Sequence, residues 1–315
     1  MNMTSRDIPL LDFAPFPSPA DDVVRKQMLM TLRSALETYG FMYLRNHGVA
    51  QSLIDAVFAQ SRQFFSLPPE VKNRAKPKEQ GSTRGYEGVG VQALEVGRPG
   101  DLKEIFQCGR EPARTRPNAW PEDLPEFRQT LLAFLDAAKA GCDQLMRAIA
   151  LSLGLPGNYF VPYHDRTDST LRLLHYPPLT GAPAPGQLRA GAHTDFGGMN
   201  LLFQDDEGGL EIQSPDGRWI AAPAIPGTAI VNTGDLISRW TNGMFRSSPH
   251  RVVNPTGPAA NKDRYSFVLF HSPNPDAVIS CLEPCRGPDN RAKFAPITAG
   301  EHLRARVEAS RRHGY

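Results

Sequence analysis

The 315-residue sequence predicts a mixed α/β, mainly β fold: a jelly-roll core flanked by N-terminal and C-terminal helices. Three observations carry this. From Asp165 to about residue 275, short apolar runs alternate with turn residues at the spacing of a sandwich or jelly roll. Long helical periodicities lie before and after that region, not within it. Proline occurs 29 times, which favours turns and short elements.

The elements follow in order. "IPLLDFA" reads as a short strand. In "DDVVRKQMLMTLRSALETYG", Val24, Met28, Leu32 and Leu36 recur at helical spacing, and Gly40 caps the end. "FMYLRNHGV" reads as a strand, and "QSLIDAVFAQSRQFFSLPPEVKNR" as a helix stopping near Pro68 and Pro69. Residues 75–100 are rich in glycine and polar residues and are expected to form a loop near a site. Pro125 to Leu153 is a long helix with Phe127, Leu131, Phe134, Ala138, Leu145 and Ile149 on one stripe. Then come the short segments "TLRLLHYPP", "LRAGAHTD", "MNLLFQD", "LEIQS", "WIAAPAI", "TAIVNTGDLISRWT", "HRVVNP" and "RYSFVLFHSP". The C-terminal "ITAGEHLRARVEASRRHGY" is a helix that ends polar. The expected organisation is an N-terminal mixed helical region over 1–160, packed on a core over 165–280, with a C-terminal helical segment over 281–315.

Composition excludes several classes. Apolar residues make up 40% and charged residues 22%, enough to bury a core without disulfides or structural metal. A net charge of +2 gives no basic field for nucleic acid or an anionic membrane. Cys108, Cys142, Cys281 and Cys285 are too few and too scattered for a disulfide scaffold, so free thiols and a cytoplasmic location are expected. The opening "MNMTSRDIPLLDFAPF" lacks the cationic start and apolar run of a signal peptide, and no apolar stretch reaches membrane-spanning length.

The chemistry begins in "AGAHTDFGGMN", residues 190–200. His193 and Asp195 stand two apart, so on a strand they project from one face. A lone His-x-Asp is a weak signal. A facial metal site needs a third ligand, and the other histidines are His47, His164, His175, His250, His271, His302 and His313. His250 stands out. It opens "HRVVNP" after a turn-rich stretch, four strand-like segments beyond Asp195, a separation that in a jelly roll brings the chain back to the first pair. Two imidazoles and one carboxylate are the ligand set of non-haem Fe(II) oxygenases, and they leave three positions open. Arg264 and Ser266 form a second i, i+2 pair, with Val268 and Phe270 continuing their face. An arginine so placed pairs either with an acid of the chain or with a ligand carboxylate.

Several ordered motifs together carry a resemblance. "IPLLDF…GFMYLRNHGV", "LRLLHYPP", "AHTDFG", "NTGDLISRWTNGMFRSSPHRVV" and "RYSFVLFHSPNP" resemble the isopenicillin N synthase-like family of Fe(II)/2-oxoglutarate oxygenases, over most of the chain. The resemblance implies a double-stranded β-helix core behind a dioxygenase-type N-terminal region. It implies His193, Asp195 and His250 as iron ligands. Arg264 and Ser266, with Tyr176, match the group that binds the distal carboxylate of 2-oxoglutarate. Leu174 departs from the pattern, since many plant members carry asparagine there. "TRGY" (Arg84 to Tyr86) resembles a substrate-carboxylate segment of isopenicillin N synthase; otherwise Arg84 is a solvated loop residue. Phe196 and Phe270 are candidates to line the substrate pocket. Trp219, Trp240, His47 and Arg251 read as structural.

The implied reaction consumes 2-oxoglutarate and O2, releases succinate and CO2, and hydroxylates, desaturates or cyclises a small molecule. Three rivals stand beside it: an isopenicillin N synthase-like oxidase that uses no 2-oxoglutarate, a non-catalytic binding protein, and a zinc hydrolase. The sequence names neither the substrate nor the oligomeric state.

Overall fold

A computed structural model describes residues 8–14, 16, 22–78, 82–95, 97–111, 117–166 and 169–311. The expectations for residues 1–7 and 312–315, including His313, lie outside the described residues. Among those described, strands are β1 (Leu10–Asp12), β2 (Phe41–Arg45), β3 (Gly85–Glu87), β4 (Glu104–Gly109), β5 (Thr170–Tyr176), β6 (Ala190–His193) and β7 (Met199–Gln204). They continue with β8 (Leu210–Gln213), β9 (Trp219–Ala221), β10 (Thr228–Thr233), β11 (His250–Val252), β12 (Arg264–His271), β13 (Val278–Ile279) and β14 (Ile297–Thr298). The helices are α1 (Asp22–Thr38), α2 (Gln51–Phe65), α3 (Pro69–Arg74), α4 (Pro125–Ser152), α5 (Asp235–Trp240) and α6 (Ala299–Arg311).

Two sheets face each other. The larger has the order β1-β2-β10-β7-β12-β5-β4-β3 and is antiparallel except for β1 with β2. The smaller is β6-β11-β8-β9, antiparallel throughout. Side chains from both inner faces meet in one apolar cluster. Leu174, Ile230 and Val268 come from the larger sheet, and Leu210, Ile212 and Val252 from the smaller. This is the jelly-roll arrangement, in which alternate strand residues point inward.

The outer face of the larger sheet carries the helices. The stripe read from α4 is buried in full: Phe127, Leu131, Phe134, Ala138, Leu145 and Ile149 all join the helix-side core. In α1, Met28, Leu32 and Leu36 are buried, whereas Val24 is exposed. Burying a stripe of this size supplies most of the stability of an amphipathic helix. Gly40 ends the turn after α1 at φ +65°; a Cβ there would lie 2.2 Å from the carbonyl oxygen of Arg246.

The structure departs from the sequence reading in several places, among them β3 inside the expected 75–100 loop and β14 ahead of the C-terminal helix. The stretch ending at residue 74 is two helices, because Pro68 and Pro69 break α2 and Pro69 then starts α3 at its first turn. "TAIVNTGDLISRWT" is a strand followed by helix α5, with Gly234 at the junction. Strand β4 was not read as an element; it lies between β3 and β5. The N-terminal region therefore contributes β1 to β4 to the main sheet as well as its helices.

Candidate active site

The site is built on β6, the loop after it, and β11. His250 pairs directly with His193 across the two strands, and their rings lie 4.3 Å apart between centroids. Nε2 of His250 is 3.6 Å from Asp195 Oδ2, and Nε2 of His193 is 4.0 Å from Asp195 Oδ1. One donor atom from each of the three residues lies within 4.8 Å of the other two. The sequence-derived triad is thus brought together.

The hydrogen bonds around it fix which atoms are free. Nδ1 of His193 lies 2.8 Å from the Gly191 carbonyl, and Nδ1 of His250 lies 3.3 Å from that of Ser248. A carbonyl only accepts, so each Nδ1 carries a hydrogen, and Nε2 is the nitrogen turned toward Asp195 and placed to ligate. Burial and then the His250 ring push the His193 pKa well down, so the imidazole is neutral. Burial opposes ionisation of Asp195, but the two imidazoles and a hydrogen bond from Asn232 hold its carboxyl below the usual range. A neutral imidazole beside an ionised carboxylate is the protonation state a divalent metal needs.

Two asparagines orient the carboxylate. Nδ2 of Asn200 and Nδ2 of Asn232 donate to Asp195 Oδ2 at 2.7 and 2.6 Å. They sit opposite each other on β7 and β10 and face inward. The sequence reading missed both, although they stand inside "MNLLFQD" and "NTGD". The loop itself is pinned by the start of α5: the Asp235 N–H donates to the Asp195 carbonyl and the Leu236 N–H to that of Gly197. Gly234 permits this approach, since a Cβ there would meet the Gly197 and Asp195 carbonyl oxygens at 2.5 and 2.8 Å. On the other side, Arg306 of α6 stacks over Phe196 at 4.5 Å and donates to Thr194.

A second polar group lies on the inner face of the larger sheet. Arg264 on β12 is buried, and its guanidinium lies 4.7 Å above the Tyr176 ring of its partner strand. Nε donates to the Gly208 carbonyl, one terminal nitrogen to Gln204 Oε1, and the other to Ser266 Oγ at 3.4 Å. Among the described residues no acid forms an ion pair with it, which leaves the ligand-carboxylate alternative standing. Arg189, also buried, lies close enough to feel the Arg264 charge and adds positive potential. Neither Gln204 nor Arg189 was singled out from sequence. Leu174, in register with Ser266, is apolar and buried.

The remaining candidates divide. Phe270 lies on the inner face with Arg264 and Ser266. Phe196 lies beside Asp195 but under the Arg306 guanidinium. Arg84 packs against Gly109 at the end of β4. Tyr86 is a correction. On β3 it alternates to the helical side, packs on Phe64 and donates its hydroxyl to Glu104. Arg84 is buried, not solvated. Of the residues read as structural, Trp240 is buried in the core, and Arg251 turns outward to Glu211 and Trp219. His47 accepts from the Val49 N–H.

Comparison with known proteins decides the family. A family model described as the 2OG-Fe(II) oxygenase superfamily matches residues 167–273. One described as non-haem dioxygenase in morphine synthesis N-terminal matches residues 8–123. A 2-oxoglutarate-Fe(II) type oxidoreductase of Emericella nidulans, hxnY, is 33% identical, with 96% of this chain and 90% of that protein covered. The chain belongs to the 2OG-Fe(II) oxygenase superfamily. Among other relatives of this oxygenase, proline hydroxylase buaE of Petromyces alliaceus is 35% identical, covering 96% of this chain and 98% of its own. A full-length Neurospora crassa protein crystallised with α-ketoglutarate (2-oxoglutarate) and thymine superposes with a TM-score of 0.89 at 36% identity. That match covers 96% of this chain and 97% of the other. The oxygenase is an oxidoreductase that uses Fe(II), 2-oxoglutarate and O2, and the donor set of its triad fits Fe(II). The relatives favour 2-oxoglutarate consumption over the oxidase alternative. No helix among its described residues is long and apolar enough to cross a membrane.

Proposed function

We propose that His193, Asp195 and His250 hold the Fe(II), that Arg264, Ser266 and Tyr176 hold the distal carboxylate of 2-oxoglutarate, and that the enzyme hydroxylates a small organic molecule. The observation that carries the reading is the convergence of two imidazole nitrogens and one carboxylate oxygen within 4.8 Å, from segments far apart in sequence. Hydroxylation is supported by the proline hydroxylase among its relatives, and a small-molecule substrate by the Neurospora protein that binds thymine.

When bound, the iron supplies the oxidation: 2-oxoglutarate, O2 and a C–H bond become succinate, CO2 and an alcohol. The chain supplies position. The carbonyls of Gly191 and Ser248 set the two imidazoles, and Asn200 and Asn232 set the carboxylate. Tyr176 and Gln204 hold the Arg264 fork flat and ready for a bidentate carboxylate. We place the enzyme in the cytoplasm, a reading supported by four free thiols.

The test is iron-dependent succinate release from 2-oxoglutarate under O2. His193→Ala and His250→Ala are expected to lose Fe(II) binding and all turnover. Full activity in either variant would falsify the assignment.

A further inference from the structure

We propose that Arg172 is the residue that selects and orients the substrate, by receiving a carboxylate of it. This rests on the reading of the triad as the iron site and names the substrate class for that site.

Arg172 lies on β5, and alternation puts it on the inner face with Leu174 and Tyr176. It stands in one cross-sheet row with Tyr43, Ile230, Leu202, Val268 and Gln107, all in register. Its geometry is fixed on two sides. Nε donates to Gln107 Oε1 at 3.0 Å, and the guanidinium carbon sits 5.0 Å over the Phe270 ring. The Gln107 amide is held in turn by the Thr83 carbonyl. Phe270 pairs with Asn200, which donates to Asp195, so the plane of the guanidinium borders the metal ligands.

The two terminal nitrogens donate to no described residue and are not sealed from solvent. The carboxylates of Glu87, Asp195 and Asp101 act on the charge from a distance, yet none forms an ion pair with it. Each has another partner: Gln92 for Glu87, the two asparagines for Asp195, and Lys103 for Asp101. A guanidinium held flat, stripped of much of its water and left with one open fork fits a planar bidentate acceptor, and a carboxylate is the best match. It is not the distal 2-oxoglutarate site. Tyr176, which pairs with Arg264, is four residues further along β5, roughly 13 Å away at strand rise.

The experiment uses the full-length protein loaded with Fe(II) and 2-oxoglutarate without oxygen. The probes are the proteinogenic amino acids, benzoate and nicotinate, each beside its carboxamide, with binding read by calorimetry. At least one carboxylate is expected to bind ten-fold or more tightly than its amide. Arg172→Gln should weaken that binding 30-fold or more, Arg172→Lys should keep part of it, and 2-oxoglutarate affinity should stay within two-fold, which also reports an intact fold. The inference is overturned if no carboxylate binds, if amides bind as well, if Arg172→Gln binds unchanged, or if the variants lose 2-oxoglutarate equally. A wild-type protein that takes up no Fe(II) overturns the iron reading as well; one that takes up both cofactors and ignores carboxylates overturns this inference alone.

Discussion

Asn200 and Asn232 meet at a single oxygen. Both side-chain amides donate to Oδ2 of Asp195, from neighbouring strands of the larger sheet. The carboxylate is therefore aimed by groups that touch no metal themselves.

Removing either donor should loosen the aim. Asn200→Ala and Asn232→Ala are each expected to weaken Fe(II) binding about 10- to 100-fold, the usual effect of losing a partner behind a metal ligand. Metal titration without oxygen measures it. Two variants that bind iron as the wild type does would rule out an orienting role.

Arg264→Gln should raise the KM for 2-oxoglutarate by about 30- to 1000-fold, or about 2–4 kcal/mol, as expected for one partner of a buried charge pair. Ser266→Ala should cost far less, because its hydroxyl sits 3.4 Å from the guanidinium. Steady-state kinetics against 2-oxoglutarate separate the two. A KM unaffected by Arg264→Gln would mean the cosubstrate binds elsewhere.

Gly234→Ala places a methyl against two carbonyl oxygens of the metal loop, at 2.5 and 2.8 Å. Overpacking of this kind costs about 1–3 kcal/mol, and here the strain falls on the residue that carries Asp195. Iron retention should drop more than ten-fold with little change in far-UV circular dichroism. Normal iron retention would show that the loop can retreat.

Acid should destabilise the fold through a histidine pair on the helix side of the larger sheet. His164 and His271 stack at 4.6 Å, buried among helix α4 and the core. Burial pushes the His164 pKa from 6.5 down to about 4, and that of His271 in the same direction. Below 6.5 the unfolded chain binds more protons than the folded one, so stability falls as pH drops, and the His164 share of the loss is complete once pH passes below about 4. For His164 alone the loss is about 3 kcal/mol. Urea unfolding at several pH values checks it. His164→Phe should flatten the slope, and an equally steep curve would count against this account.

Much of this was legible in the chain. The α4 stripe obeyed its 3.6-residue period because one face packs on an apolar sheet. The i, i+2 pair at 264/266 was legible because strands alternate; His193 and Asp195 share the site although Asp195 lies in the loop after β6, off the strand the sequence reading gave it. Strand β4 was not, because it is buried on both faces and carries buried polar residues. Glu104 is matched by Lys72, His175 and Tyr86, and Gln107 by Arg172 and Thr83. Such partners are distant in sequence, so nothing local marks the segment as a strand. The same cause misdirected Tyr86, since a motif gives the residue type but not the face it takes. Asn200 and Asn232 escaped because their role appears only once β7 and β10 are paired.

The apposition of His193 with His250 has a bearing on biogenesis. A nascent chain that has emerged only through β6 and the loop after it holds two of the three candidate ligands, and the third arrives after β7, β8, β9 and β10 have been synthesised. Pairing strands this distant is a slow event. Iron consequently rewards the finished fold and no precursor, shifting the unfolding equilibrium by mass action. Cells short of iron should therefore hold a pool of this protein that is complete in sequence yet turned over faster.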